Sequence, residues 1–178
     1  TGLDTAAAAH LQAAETAALG HAWRVVVTSA HTARLLADYG VPASRVRVVE
    51  PGTDPAPLAR RSATAGDGAA ADESIRLLCV GSVTPRKGHD LLVAALGGLV
   101  HLDWRLDCVG SLSRDPPTAA ALRQRIHALG LGRRVRLLGE VDAADLAGCY
   151  ARADLFVLAS LFEGYGMAFA EALARGLP

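Results

Sequence analysis

The chain has 178 residues, enough for one domain with a sizeable core or for parts of two. Hydrophobic residues make up 51% and charged residues 20%, which excludes a disordered chain, and Lys+Arg and Asp+Glu both number 18, which excludes a global basic field for nucleic acid. With the charges balanced, any anion site must be local, and no apolar run approaches the length of a transmembrane helix.

Taken in order, Thr1 to Gly20 is alanine-rich with a loose helical stripe, and Gly20 can end it. Val25-Val26-Val27 reads as a β-branched strand. Ser29 is placed to cap a helix over His31 to Tyr39, which Gly40 closes. Val46 to Val49 is a second strand broken by Pro51-Gly52, so residues 20–50 form a parallel βαβ element. From Pro51 to Ser74 the texture turns to Pro, Gly, Ala and Ser without period. This stretch reads as a linker or surface loop carrying Asp54, Arg60 and Arg61, all expected to be solvated.

Beyond it, Ile75 to Val80 is a buried-type strand, followed by a loop from Ser82 to Gly88 and a helix from His89 to Val100. Trp104 to Val109, Val135 to Leu138 and Asp154 to Leu158 are further strands. Helices Thr118 to Leu129 and Asp142 to Arg152 lie between them, and Met167 to Arg175 forms the last. The alternation predicts a Rossmann-like, doubly wound parallel α/β sheet over 75–178. Three strands end in glycine, at Gly81, Gly110 and Gly139, which suits sharp turns at the carboxyl edge where such sheets bind ligands.

Two constellations could carry chemistry. The loop Gly81-Ser82-Val83-Thr84-Pro85-Arg86-Lys87-Gly88 places two cations between a strand and a helix start. Arg86 can clamp a phosphate through its fork and Lys87 can add a point charge. Two such cations are more often a solvated turn; their place at the end of a strand shifts the balance. The loop is not a Walker P-loop, and no G-x-G-x-x-G occurs.

The second constellation is Glu163 with Glu171. They flank Gly164, Tyr165, Gly166 and Met167, whose amides would face an anion at the helix start. Glycine at 164 and 166 permits close backbone approach and positive φ. Carboxylates of this kind accept hydrogen bonds from sugar or ribose hydroxyls, although two Glu near a helix start are commonly just solvated. Tyr165 could stack on a ligand or pack in the loop. The six histidines lack ligand spacing, and Cys79, Cys108 and Cys149 form no C-x-x-C pair. They read as buried free thiols of a reducing compartment, with no metal site expected.

In this order the motifs resemble the retaining family 4 glycosyltransferases of the two-Rossmann-domain, or GT-B, type. Glu163 and Glu171 match that family's E-x7-E element, and Val80-Gly81 with Pro85-Arg86-Lys87-Gly88 matches its donor-phosphate loop. Val109-Gly110, Leu138 to Val141 and Tyr150 to Ser160 match the strands and turns between them. Val26 to Ser29 and Val48 to Asp54 resemble the end of the acceptor-side domain. The resemblance divides the chain into 1–52, the last βαβ piece of a Rossmann-like acceptor-side domain; 53–74, a linker; and 75–178, an incomplete donor domain. It implies further chain before Thr1 and after Pro178, and a piece not competent alone.

The resemblance also implies roles. Lys87 with Arg86 would neutralise a donor diphosphate beside Gly81 and Ser82. Glu163 would meet the transferred sugar and its developing positive charge, and Glu171 the ribose. Amides of Gly166 and Met167 would assist at the phosphate, and Gly139, Glu140 and Val141 would frame the nucleobase. Ser82 stands where many members carry arginine, and Arg86 is the residue that could supply that charge. The implied reaction is metal-independent, cofactor-free transfer of a sugar from a nucleotide-diphosphate sugar to an acceptor hydroxyl, with retained configuration, in the cytoplasm. The acceptor stays open (sugar, lipid or glycan), as does a membrane-surface location; nucleic acid is not expected. A non-catalytic nucleotide-sugar-binding module, a sugar-nucleotide epimerase or a phosphorylase are the alternatives.

Overall fold

A computed structural model describes residues 4–59 and 74–178. Arg60, Arg61 and most of the expected linker lie outside the described residues. The fold divides into two compact units, residues 1–52 with 163–167, and residues 53–162 with 168–178.

In the first unit, α1 spans Thr5–His21, one residue past the expected glycine stop. Asp4 begins it by accepting a hydrogen bond from the Ala7 amide at 2.7 Å. β1 (Val25–Val27) and β2 (Val46–Val48) pair in parallel, with Val25 opposite Val46. Ser29 caps the intervening helix as expected, accepting from the Thr32 amide at 3.1 Å. The helix is shorter than its pattern suggests. α2 covers Ala30–Leu35, and Leu36–Tyr39 tightens into a 3-10 turn before Gly40. Such tightening is common where a last turn must satisfy its own carbonyls.

The second unit holds a four-stranded sheet, all parallel, in the order β5-β4-β3-β6. β3 is Ile75–Val80, β4 Trp104–Val109, β5 Val135–Gly139 and β6 Leu155–Phe156. Helices α3 (His89–Gly97), α4 (Pro116–Ala128), α5 (Ala143–Arg152) and α6 (Met167–Ala174) complete the order; Met167, the first residue of α6, is the last residue grouped with the first unit. The period of two along β3 decides the layering. Leu77 and Cys79 face one cluster with Val93 and Leu96 of α3 and Leu122 and Ile126 of α4. Leu78 faces the other, with Tyr150 of α5, Phe156 and Ala172 of α6. The sheet is covered on both faces, which is why its strands read as apolar runs rather than as alternation. Each fully buried Leu or Val contributes about 1.5–3 kcal/mol relative to exposure.

The chain runs outward from β3 through β4 to β5, then returns to the other side of β3 as β6. The strand order therefore reverses between β3 and β6, which makes the carboxyl ends of these two strands the ligand-binding crevice of this class of sheet. β6 is shorter than the expected Asp154 to Leu158. Its ladder with β3 closes at Val157 N to Leu78 O, 2.9 Å; beyond that point the backbone turns to the loop after β3, where Leu161 N donates to Arg86 O at 2.8 Å. The last helix ends one residue early, and α3 ends at Gly97 instead of Val100.

Candidate functional site

The loop after β3 begins as an extension of the sheet: Gly81 N donates to Val109 O at 2.8 Å, and Val83 N to Ser111 O at 2.9 Å. Val83 is buried, so the loop is anchored at its centre by an apolar side chain. The backbones after β3 and β4 come very close. A Cβ on Gly110, at φ 143°, would sit 2.3 Å from the Gly81 carbonyl oxygen. Glycine is therefore required there for packing as well as for its dihedral.

Pro85–Lys87 forms a single 3-10 turn, and Gly88 follows in the left-handed region at φ 63°. A Cβ on Gly88 would lie 2.0 Å from the Ala159 carbonyl oxygen, so this loop and the one after β6 touch backbone to backbone. Arg86 completes the join, since its guanidinium donates to the Phe162 carbonyl while its own carbonyl accepts from Leu161 N. Arg86 is thus occupied as a tie between two loops, a task that its place in the sequence did not reveal. Lys87 is half-buried, and its aliphatic stem lies over Gly81, where a Cβ would meet Cε at 3.4 Å. Ser82 lies half-buried between these anchors. Lys87 is the only lysine in the sequence.

Glu171 of α6 sits in the second unit beside α5. Tyr150 Oη donates to Glu171 Oε2 at 2.9 Å and contacts the Ala168 carbonyl at 3.4 Å. The Arg175 guanidinium lies over the Tyr150 ring at 4.4 Å and donates to the Glu171 carbonyl at 2.9 Å. The phenol is fully buried on one side by Phe156, whose ring stacks at 6.2 Å. Burial, then the bond to Glu171, pushes the Tyr150 hydroxyl well above its ordinary pKa, so it stays a donor throughout the neutral range. Sequence reasoning gave Tyr150 no role; the available signal was a tyrosine on the inward face of a strongly amphipathic helix.

Gly139 ends β5 at φ 74°, and its carbonyl accepts from Gly110 N at 2.9 Å. Glu140 is exposed; Val141 packs with Ala168 on the same apolar cluster as Tyr150. The turn 139–141 and the helix bearing Glu171 therefore share one support.

Glu163, Gly164, Tyr165, Gly166 and Met167 group with the first unit. There the Gly164 carbonyl accepts from Thr32 Oγ1 at 3.2 Å, and Gly164 lies against Thr28. Gly166 is buried with φ 92°, as expected, whereas Gly164 has no positive φ. The expected freedom at Gly164 is therefore unused, and a Cβ there would make only an ordinary 3.8 Å contact with Thr28 Oγ1. Glu163 and Tyr165 are half-buried, and Met167 is exposed at the start of α6.

A separate groove of about 320 Å³ lies toward the amino ends of the strands, lined by six arginines with Asp107, and away from these loops. Two of its arginines, Arg134 and Arg136, are engaged. Arg136 makes a bidentate pair with Asp107, and Arg134 donates to the Val100 and Leu102 carbonyls and covers Trp104.

The model of the family described as glycosyl transferases group 1 matches residues 62–178, and that described as glycosyltransferase family 4 matches residues 3–57. The chain is 33% identical over 159 residues to mannosylfructose-phosphate synthase of Agrobacterium fabrum, covering 81% of this chain and 34% of that one. It is 34% identical over 182 residues to D-inositol 3-phosphate glycosyltransferase 1 of Catenulispora acidiphila, covering 93% and 42%. The solved structure of sucrose-phosphate synthase from Thermosynechococcus elongatus superposes with TM-score 0.78 at 28% identity, covering 100% of this chain and 45% of that one. The chain spans roughly two fifths of the length of the curated relatives it matches.

Proposed function

The chain belongs to the glycosyl transferases group 1 family, with a GT-B-type parallel sheet, and from that premise we propose that it carries the donor half of a retaining sugar transferase. The protein would move a sugar from a nucleotide-diphosphate sugar to an acceptor hydroxyl with retained anomeric configuration. The observation that carries this reading is the Gly81–Gly88 loop, with Lys87 over Gly81, at the reversal of strand order between β3 and β6. That is where this sheet class takes a phosphorylated ligand.

Lys87 meets the diphosphate as a point charge, with the amides beside Gly81 and Ser82. Arg86 adds positive potential there, while its hydrogen bond to Phe162 makes its main task the holding of the loop after β6. Glu171, oriented by Tyr150, accepts from the ribose hydroxyls. The turn at Gly139, Glu140 and Val141 borders the base. The resemblance to the family assigns Glu163 to the transferred sugar, and Gly164, Tyr165, Gly166 and Met167 to the donor phosphate. Leaving-group charge is met by Lys87 and amides, so the reading needs no metal ion at the diphosphate and no organic cofactor. We assign residues 1–52 to the end of the acceptor-side domain, 53–74 to the link and 75–178 to the donor side. A cytoplasmic setting fits three buried cysteines, all reduced. No described helix is long and apolar enough to cross a membrane, and nucleic acid has no part in this reading.

The test is product NMR on the full-length protein with UDP-, ADP- and GDP-sugars. D-inositol 3-phosphate serves as a first acceptor, because the three relatives named above all carry a phosphorylated sugar or polyol in their names. Release of nucleoside diphosphate with an axial-for-axial glycoside supports the reading. An epimerised free sugar nucleotide without acceptor, or donor binding without turnover, would replace it by an epimerase or a binding module.

A further inference from the structure

Three side chains able to bind a metal meet in the core behind the Gly81–Gly88 loop, and the proposed sugar transfer uses none of them. Cys79 of β3 and Cys108 of β4 stand directly opposite each other in the parallel register. Both point to the face covered by α3 and α4. His89 is the first residue of α3 and immediately follows Gly88. One sulfur from each cysteine and one ring nitrogen of His89 all lie within 4.8 Å of one another. The three residues are 0%, 2% and 2% exposed, and neither ring nitrogen of His89 has a hydrogen-bond partner. A histidine sealed in an apolar core normally satisfies at least one nitrogen. Here the groups turned toward it are two thiols, which are weak hydrogen-bonding partners and strong metal ligands.

We propose that Cys79, Cys108 and His89 bind one divalent d10 cation, Zn2+, which ties both ends of the Gly81–Gly88 loop to β4. Binding converts two thiols to thiolates and releases two protons to solvent, while the neutral imidazole gives a nitrogen lone pair. Two thiolates balance the 2+ charge, so the buried complex is neutral. A monovalent ion on the same ligands would leave a net negative charge in a low-dielectric interior, which is costly. Two sulfurs and one imidazole nitrogen are a known zinc donor set. The chain between Cys79 and His89, Val80 to Gly88, contains the whole loop. Clamping both its ends restricts the loop without touching Lys87. The ligands come from two strands and a helix start, which is why no short-range spacing marks them.

The inference stands apart from the sugar-transfer reading, and its test needs no donor or acceptor. Full-length protein is stripped with chelator and titrated with Co2+ as a zinc substitute. The expected result is a thiolate-to-cobalt charge-transfer band and tetrahedral d–d bands, saturating at about one ion per chain and bleached by Zn2+. Cys79→Ser and Cys108→Ser each lose the bands, and Cys149→Ser keeps them. Since the first two changes fall in the core, X-ray absorption on the zinc-loaded wild type gives a variant-free reading. It should show two sulfurs at about 2.3 Å and nitrogen or oxygen at about 2.0 Å. A cobalt complex without the charge-transfer band, or a zinc site with no sulfur shell, overturns the proposal.

Discussion

Tyr150 Oη donates to Glu171 Oε2 at 2.9 Å, joining the end of α5 to the middle of α6. The buried ring, held by Phe156 and capped by Arg175, leaves the hydroxyl few other directions, so the carboxylate is pre-oriented before any ligand arrives. Tyr150→Phe removes this donor alone. A hydrogen bond to a charged group contributes about 1.5–3 kcal/mol when buried, and Glu171 is only half-buried, so about 1 kcal/mol is expected. Nucleoside diphosphate affinity should fall roughly fivefold. In a Glu171→Ala background the same change should have almost no further effect, which a double-mutant cycle by calorimetry would measure.

The same tyrosine sets an alkaline limit. Its folded pKa is raised, first by burial and then by Glu171, above the ordinary tyrosine value of 10.0. The neutral phenol's contribution to stability is therefore full below about pH 10 and is lost as pH rises through the folded value. Thermal melts from pH 8 to 11 should fall more steeply for wild type than for Tyr150→Phe above pH 10. Parallel curves would show that Tyr150 does not control this limb.

Gly88 and Gly130 share nearly the same backbone, φ 63° and 69°, but not the same surroundings. An alanine at 130 meets nothing within 4 Å, so it incurs only the left-handed strain of about 1–2 kcal/mol. An alanine at 88 must also move the Ala159 carbonyl from 2.0 Å. Gly88→Ala should destabilise by at least about 1 kcal/mol more than Gly130→Ala in urea unfolding. Equal effects would mean that the two loops do not press together as described.

The contrast between these glycines shows how far sequence alone could go. Sheet class, the place of the cation loop after a strand and the cap at Ser29 were legible because they follow local rules: apolar period, turn residues and a side-chain oxygen three residues before an amide. What was not legible depended on partners far along the chain. Arg86 reads as a free cation until Phe162 is placed beside it, and Gly88 as an ordinary helix start until Ala159 is. The short β6 has the same cause, since Leu161 pairs with Arg86 in preference to the sheet. Cys79 and Cys108, 29 residues apart, become neighbours only through the parallel register.

Lys87 offers an uncluttered chemical probe because no other lysine occurs in this sequence. Its stem packs over Gly81, and the proposed function assigns its ammonium to the diphosphate. Acylation by an amine-directed reagent, mapped by peptide mass, should therefore be slowed severalfold by saturating nucleotide-diphosphate sugar and not by the free sugar. Equal labelling with and without donor would remove Lys87 from the phosphate site.

In the proposed function, the loop after β3 holds a donor diphosphate through Lys87. Calorimetric titration of the full-length protein with UDP, ADP and GDP, comparing wild type with Lys87→Ala, tests it most directly. Loss of one charge-assisted contact of about 1.5–3 kcal/mol predicts a roughly 10- to 100-fold weaker Kd for the preferred nucleotide in Lys87→Ala. A wild-type Kd retained by the folded Lys87→Ala protein would contradict the account.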